Sequence, residues 1–224
     1  MKYSKLSNKS FTAIMKHLLV MAFAILTIGC GEKKSDGVNL DELEDREGVF
    51  YLKNSNSPYT GKCFEFHDNG QKKSETTLKD GEYDGLSVGW YENGQKMGEG
   101  NLKGRKSDGL SVLWYENGQK KLEVNYKDGK EDGPLGLWHE NGQKIVEGNY
   151  KDGKKDGLTV MWHENGQKMG EVNYKDGELD GLTVSWHENG QNRTEINYKD
   201  GTLISSKYWN SKGEEVDSME EADQ

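Results

Sequence analysis

The stretch GLTVMWHENGQKMGEVNYKDGELD, residues 157–180, decides the fold. Apolar residues stand at every second position before its Asn-Gly pair, and the same alternation returns after that pair. A period of two is typical of a β-strand with one buried face, and Asn-Gly favours a tight hairpin turn. The stretch therefore predicts a β-hairpin whose apolar face carries Leu158, Val160, Trp162, Val172 and Tyr174.

The faces of this hairpin also predict the length of its turn. A two-residue Asn-Gly loop would place Val160 opposite Glu171 and would put acids on the apolar face. A three-residue loop, Glu164-Asn165-Gly166 with Gly166 in the left-handed conformation, brings the apolar side chains onto one face, because one residue of slip inverts every side chain. We therefore expect the three-residue loop.

This hairpin is one copy of a 24-residue repeat, because the Asn-Gly pair recurs at Asn69, Asn93, Asn117, Asn141, Asn165 and Asn189. A Trp column precedes the Asn by three positions, and a Tyr column follows it by nine. The predicted fold is all-β: an elongated, single-layer antiparallel meander of hairpins, a repeat solenoid of roughly 13 to 15 strands in which each repeat touches only its neighbours. The Trp and Tyr columns are expected to share one face.

The recurring NGQK, preceded by WHE or WYE and followed by runs such as EGNYKDGKKDG (Glu147 to Gly157), resembles the MORN repeat variant family over roughly residues 49–216. The stretch SPYTGK, residues 57–62, is similar to the opening repeat of its bacterial exported members. The resemblance implies a MORN-like repeat fold. Such chains often carry the label of a YwqK-type toxin–antitoxin antitoxin, and MORN repeats elsewhere are linked to membrane association, scaffolding and lipid kinases. This sequence carries no kinase signature.

The N-terminus predicts export. The first 29 residues contain four lysines and no acid, and they end in an apolar run from Leu18 to Ile28, which is typical of a secretory signal peptide. The following residues complete LTIGC, residues 26–30, which resembles a bacterial lipobox with Cys30 as the lipidated residue. The alternatives are an ordinary signal peptide with an incidental cysteine and retention of the chain in the cytoplasm. We expect a membrane-anchored lipoprotein of the bacterial cell envelope.

The domain organisation follows from these segments. Residues 1–29 are the predicted lipoprotein signal peptide, 30–48 an acidic tether, 49–216 the repeat domain and 217–224 an acidic tail. Loss of residues 1–29 leaves 26 basic against 39 acidic residues, a net charge of −13. Nucleic acid is therefore not an expected partner, because phosphate binding needs clustered cations. The second cysteine, Cys63, lies in a strand-like run and is predicted to be a buried structural thiol.

The candidate binding face is the aromatic one. Its residues are Trp90, Trp114, Trp138, Trp162, Trp186, Tyr126, Tyr150, Tyr174 and Tyr198. These rings either form the core of a thin sheet or leave a grooved surface open for a partner.

Other chemistry is not favoured by the pattern. A histidine column (His67, His139, His163 and His187) repeats too widely for adjacent copies to share a metal ion. Asp pairs in the Gly-rich turns lack the spacing of a calcium loop. A repeated glutamate column gives equivalent sites where catalysis needs one special arrangement. We expect no enzyme activity, no metal and no cofactor.

The sequence thus favours a noncatalytic protein-binding or scaffold module at the bacterial envelope, attached to the membrane through its N-terminal lipid. One alternative is an antitoxin or immunity protein that neutralises a partner toxin, since an acidic body suits a basic toxin. A further alternative is binding of cell-wall carbohydrate along the aromatic rows.

Overall fold

The computed structural model describes residues 37–223. Strands β1 to β10 are Gly37–Asn39, Leu43–Arg46, Val49–Leu52, Gly61–Phe66, Lys72–Lys79, Glu82–Trp90, Lys96–Lys103, Lys106–Ser107, Gly109–Trp114 and Lys120–Lys127. Strands β11 to β19 are Lys130–Trp138, Lys144–Lys151, Lys154–Lys155, Gly157–Trp162, Lys168–Lys175, Glu178–Trp186, Asn192–Lys199, Thr202–Trp209 and Glu215–Val216. A 3-10 helix spans Leu40–Glu42, and the α-helix α1 spans Met219–Ala222.

Seventeen strands form one sheet, and β2 and β3 form a separate antiparallel pair. From β4 to β19 the strands follow one another as an antiparallel meander, and β1 adds in parallel to β4 at the N-terminal end. Strands β8/β9 and β13/β14 are halves of single strands separated by Asp108 and Asp156. The predicted all-β meander of successive hairpins is confirmed.

The two rims of the sheet carry different turns. At one rim the loop is Glu164-Asn165-Gly166, closed by the His163 amide donating to the Gln167 carbonyl at 2.8 Å, with Gly166 at φ 82°. The predicted three-residue loop is therefore correct. At the opposite rim Asp-Gly pairs with positive φ at both residues, such as 50° and 91° at residues 176 and 177, make two-residue turns.

The register beyond the three-residue turn differs from the expected one. Trp162 lies opposite Lys168 as the turn requires, but Met161 lies opposite Gly170, so Met169 is an extra, bulged residue. The bulge restores the pairing that a two-residue loop would have given, with Val160 opposite Glu171. The predicted common face is consequently wrong.

The sheet therefore has two distinct faces. Residues opposite one another in an antiparallel pair share a face, so Trp162 and Val160 lie with Glu171, whereas Tyr174 lies opposite Gly157 on the other side. We call the first surface the tryptophan face and the second the tyrosine face. All repeats share this arrangement, as their matching registers show.

The N-terminal end of the sheet is closed by residues that the sequence assigned to the acidic tether. Strand β1 pairs with β4, and β2 pairs with β3. Leu43 is buried in a cluster with Phe50, Cys63 and Leu78. The description of residues 30–48 as a simple tether is therefore wrong for residues 37–48, because Leu43 supplies the apolar side chain that joins this segment to the fold.

The C-terminal end is closed differently. Strand β19 pairs with Tyr208 and Trp209 only. Helix α1 follows within the segment interpreted as an acidic tail, and its Ala222 is buried while Asp223 accepts two hydrogen bonds from the Arg193 guanidinium at 2.6 and 2.8 Å. The described part of this predicted acidic tail is thus packed against the sheet.

Candidate binding surface

A ladder of lysine, glutamate and tryptophan runs along the tryptophan face. Each lysine that follows the Asn-Gly-Gln turn sequence pairs with the glutamate three residues later, and its ammonium lies over the tryptophan ring of the next repeat. The ammonium-to-ring distances are 5.5, 5.7, 5.2, 5.5 and 6.0 Å for the pairs Lys72–Trp90, Lys96–Trp114, Lys120–Trp138, Lys144–Trp162 and Lys168–Trp186. The paired glutamates are Glu75, Glu99, Glu123, Glu147 and Glu171. The acids that the expected register excluded from this face are therefore accommodated as ion pairs.

The five tryptophans are half-buried, and their indole N–H groups make no hydrogen bond to any acceptor within residues 37–223. The Trp carbonyls, in contrast, are used between repeats. For example, the Tyr91 hydroxyl donates to the Trp114 carbonyl at 2.7 Å. Five of the six repeats thus present one indole donor that is available to a bound molecule, and the first repeat has Phe66 at this position.

A row of exposed leucines lies beside the tryptophans. Leu86, Leu110, Leu158 and Leu182 are 45 to 47% exposed, with Pro134 in the same column. Between this row and the tryptophans lie valines such as Val88, Val112 and Val160, which are only 5 to 7% exposed. The tryptophan face therefore has an apolar floor between a leucine row and a tryptophan row.

The leucine row was missed in the sequence analysis, because the expected register placed Leu158 on the buried side. Its recurrence every 24 residues was the available signal.

The rim next to the tryptophans is acidic, and its turns are linked by hydrogen bonds. In five of the six turns the Asn side chain joins neighbouring repeats. For example, Asn93 accepts from the Gln95 amide at 2.9 Å and donates to the Glu116 carbonyl at 3.1 Å. The turn acids are all exposed, and their carboxylates have no partner among the described residues: Asp68, Glu92, Glu116, Glu140, Glu164 and Glu188. We call this set the acidic rim.

The histidine column has a structural role at the same rim. His67 contacts the Trp90 carbonyl at 2.9 Å, and His187 contacts the Trp209 carbonyl at 2.9 Å. Because a carbonyl oxygen only accepts, the imidazole nitrogen must donate, as the Tyr hydroxyl does in other repeats. This shared donor role explains why His at residues 67, 163 and 187 and Tyr at residues 91 and 115 can occupy the same column.

The turn aspartates are also engaged. Carboxylates of Asp132, Asp156 and Asp180 accept from the backbone N–H of the next repeat's turn at 3.2 to 3.3 Å. The Lys199 ammonium at 2.9 Å holds the pKa of Asp180 below its usual value. Among residues 37–223 there is no group of three or more His, Cys, Asp and Glu side chains arranged to hold a metal ion.

The tyrosines of the predicted binding face lie on the opposite side of the sheet from the tryptophans. Burial raises the pKa of Tyr126, Tyr150 and Tyr174, and the nearby Glu131 carboxylate adds to the effect for the first two. The Lys155 ammonium, whose pKa is lowered by burial, lies 4.8 Å from the Tyr174 ring. The structure thus divides the predicted face into two, and the tyrosine part is half-buried core.

The structure describes one of the two cysteines. Cys63 is 3% exposed, and burial raises the pKa of its thiol to about 11. The predicted buried, unreactive thiol agrees with this environment. Cys30 and the predicted signal peptide lie outside the described residues. Within the part that is described, no helix has the length and apolar character needed to span a membrane.

Comparison with known proteins identifies the repeat. Six stretches of the chain, more than half of its length, match the MORN repeat variant: residues 59–80, 83–103, 107–128, 132–152, 155–176 and 179–200. No curated protein matches the chain. Each matched stretch covers one β-hairpin, so the matches coincide with the structural repeat described above.

Proposed function

Since the chain belongs to the MORN repeat variant family, whose repeats are generally nonenzymatic modules that bind proteins or membranes, we propose that it binds a protein partner through its tryptophan face. In this proposal the protein is an exported lipoprotein, anchored by Cys30, that acts as a scaffold at the bacterial envelope. The observation that carries the binding role is the exposed leucine row beside tryptophans with free indole donors.

The physical reason is the unfavourable exposure of this row. Single exposed leucines are ordinary, but a repeated apolar row marks an interaction surface. A partner that covers the exposed half of these four leucine side chains removes their apolar surface from water. This burial stabilises the complex by roughly 25 cal/mol for each Å². Tryptophan is also the residue type most enriched among those that dominate interface energies.

A crosslinking experiment tests the binding face. The photoreactive residue p-benzoylphenylalanine replaces Leu110 or Leu158 on the tryptophan face, and Leu203 on the tyrosine face serves as the matched control because it is 54% exposed. Irradiation of cells should give partner adducts at residues 110 and 158 and none at 203. Equal adducts at all three positions, or adducts at 203 alone, would reject the tryptophan face as the binding surface.

A separate labelling experiment tests the anchor. Cells grown with an alkyne palmitate are compared for the wild type and Cys30→Ser, and intact cells are treated with protease. Label that depends on Cys30, on a chain exposed to external protease, supports the lipoprotein. An unlabelled, protected, full-length chain would reject the anchor without affecting the binding-face experiment.

The antitoxin alternative has one observation in its favour. The acidic rim presents six unpaired carboxylates in a row, which would attract and orient a basic partner such as a toxin. If that alternative is correct, reversing the rim with Glu116→Lys and Glu140→Lys should abolish protection from the toxin, while the control Leu203→Ala should leave protection unchanged.

A further inference from the structure

We infer that the tryptophan face binds a proline-rich, basic segment in the polyproline II conformation, laid along the array with one three-residue turn on each repeat. This inference rests on the proposed function, because it specifies the partner of the same surface. The repeat spacing, the free indole donors and the acidic rim carry it independently of one another.

The spacing of the repeats selects this conformation. Equivalent tryptophans are two strands apart, which is about 9.6 Å in a sheet with 4.8 Å between strands. Three residues of polyproline II advance about 9.3 Å. An extended strand repeats its side chains every two residues, or about 6.7 Å, and an α-helix rises about 5.4 Å per turn. Of these three repeat lengths, only that of polyproline II matches the spacing of Trp114, Trp138 and Trp162.

The chemistry of the surface suits the same conformation. A polyproline II chain has no internal hydrogen bonds, so its carbonyl oxygens remain free acceptors. The indole N–H groups of the tryptophan face have no acceptor among residues 37–223 and recur once per repeat. Proline rings pack against aromatic-lined grooves in known recognition domains, and here the exposed leucine row supplies the remaining apolar contact.

Charge specifies the residues between the prolines. The lysine beside each tryptophan is balanced by the glutamate of its own repeat, as for Lys120 and Glu123 at 2.5 Å. The carboxylates of the acidic rim, Glu116 and Glu140 among them, are unpaired within the described residues. In the repeats of Glu92, Glu140 and Glu164 the acids beside the tryptophan row exceed the lysines by one. In the repeat of Glu116 the Lys121 ammonium, 5.2 Å from the Tyr115 ring, offsets the rim acid. A lysine or arginine in the turns of the segment complements the excess of negative charge.

The test uses fluorescein-labelled peptides of the form (Pro-Pro-Lys)n, with n from 2 to 5, and the full-length chain in detergent. Fluorescence anisotropy should show affinity rising at least about tenfold between n = 2 and n = 5, because each added turn engages another repeat. The control (Gly-Ser-Lys)5 has the same charge and length without the polyproline II preference and should bind at least about tenfold more weakly. Equal binding of the two peptides would overturn the inference.

Two substitutions in the protein test separately what the tryptophan row and the acidic rim contribute to peptide binding. Trp138→Phe keeps one aromatic ring and removes the indole donor together with the second fused ring, and we expect about threefold to tenfold weaker binding of (Pro-Pro-Lys)5. Glu116→Lys, at an exposed turn position, should weaken (Pro-Pro-Lys)5 and strengthen (Pro-Pro-Glu)5. The matched control Leu203→Ala, on the tyrosine face, should change neither.

The result also distinguishes this inference from the proposed function. Adducts at residues 110 and 158 without any peptide binding would reject the proline-rich partner and leave the binding face intact. Absence of both would reject the two proposals together. Unchanged peptide affinity in both Trp138→Phe and Glu116→Lys would likewise overturn the site, even if the peptide binds elsewhere.

Discussion

The two faces of the sheet are made by the same strands, yet they are built from different interactions. On the tyrosine face Leu122 and Val124 are 6% and 1% exposed and pack among half-buried tyrosines. On the tryptophan face a leucine of the adjacent strand, Leu110, is 45% exposed beside lysine–glutamate pairs. Two neighbouring strands thus place side chains that serve stability on one face and leave apolar surface open on the other.

The difference follows from the side chains that cover each face. A single-layer sheet has no second layer, so every face must be covered by its own side chains. On the tryptophan face the lysine stems and indole rings cover the valines, while the ammonium groups stay in water. Burial on this face is therefore narrow, and the outer leucine row is left uncovered.

The largest predicted contrast is between two leucines. Leu122→Ala should lower the free energy of unfolding by about 2–4 kcal/mol, because it leaves a cavity in the buried tyrosine face. Leu110→Ala should lower it by less than about 0.5 kcal/mol, since its side chain is largely solvated. Urea unfolding of the full chain, followed by circular dichroism, measures both. Similar losses for the two variants would contradict the division of the faces.

The sequence predicted the hairpins, the 24-residue period and the three-residue turn, because alternation and the Asn-Gly pair determine them locally. It did not predict which residues share a face. The bulge at Met169 shifts the register by one residue, and no local preference of Met marks it. The apolar pattern misled as well, because Glu171 beside Val160 is acceptable only once Lys168 pairs with it.

The folding of the sheet's ends and the division of the predicted binding site between two faces could not be predicted from the sequence, for a related reason. Leu43 stands among acids, so residues 37–48 have the composition of a tether, and only the contact with Phe50 and Cys63 shows that they fold. The columns of the predicted site were found correctly as columns. Their division between the tryptophan face and the tyrosine face depends on the register, which is a property of strand pairs and not of single strands.

The second predicted contrast between the two faces is in how their contributions to stability depend on pH. Near the N-terminal end of the tyrosine face, burial raises the pKa of Cys63 from 9.0 to about 11 and that of Tyr83 from 10.0 to about 12. Both groups stay neutral in the fold and ionise first in the unfolded chain. Their contribution to stability is complete below pH 9 and is lost as the pH rises from 9 to 12.

The tryptophan face responds at the opposite end of the pH scale. Hydrogen bonds from Lys62 and Lys72 lower the pKa of Glu75 below 4.5, so its contribution is present above that pH and is lost as the pH falls through the lowered value. Urea midpoints from pH 3 to 11.5 check both limbs. Tyr83→Phe should flatten the alkaline limb, and Glu75→Gln should flatten only the acid limb. An alkaline limb unchanged in Tyr83→Phe would show that this tyrosine is not the group responsible.

The smallest predicted effect concerns the ladder itself. Lys144 pairs with Glu147 and lies 5.5 Å from the centre of the Trp162 ring, but its side chain is 44% exposed. Lys144→Ala should therefore lower the free energy of unfolding by only about 0.5–1 kcal/mol. The control Lys130→Ala removes an exposed lysine that has no ion pair within the described residues, and it should cost less than about 0.3 kcal/mol.

A double-mutant cycle of Lys144→Ala with Trp162→Leu isolates the contact between the ammonium and the ring. The coupling should be about 0.5 kcal/mol and should shrink as sodium chloride rises from about 0.05 to 1 M, because the Debye length falls to about 3 Å. The loss caused by Leu122→Ala has no charge term and should keep its size over the same range. A coupling that is zero, or that persists unchanged in salt, would mean that the lysine covers the tryptophan only through its apolar stem.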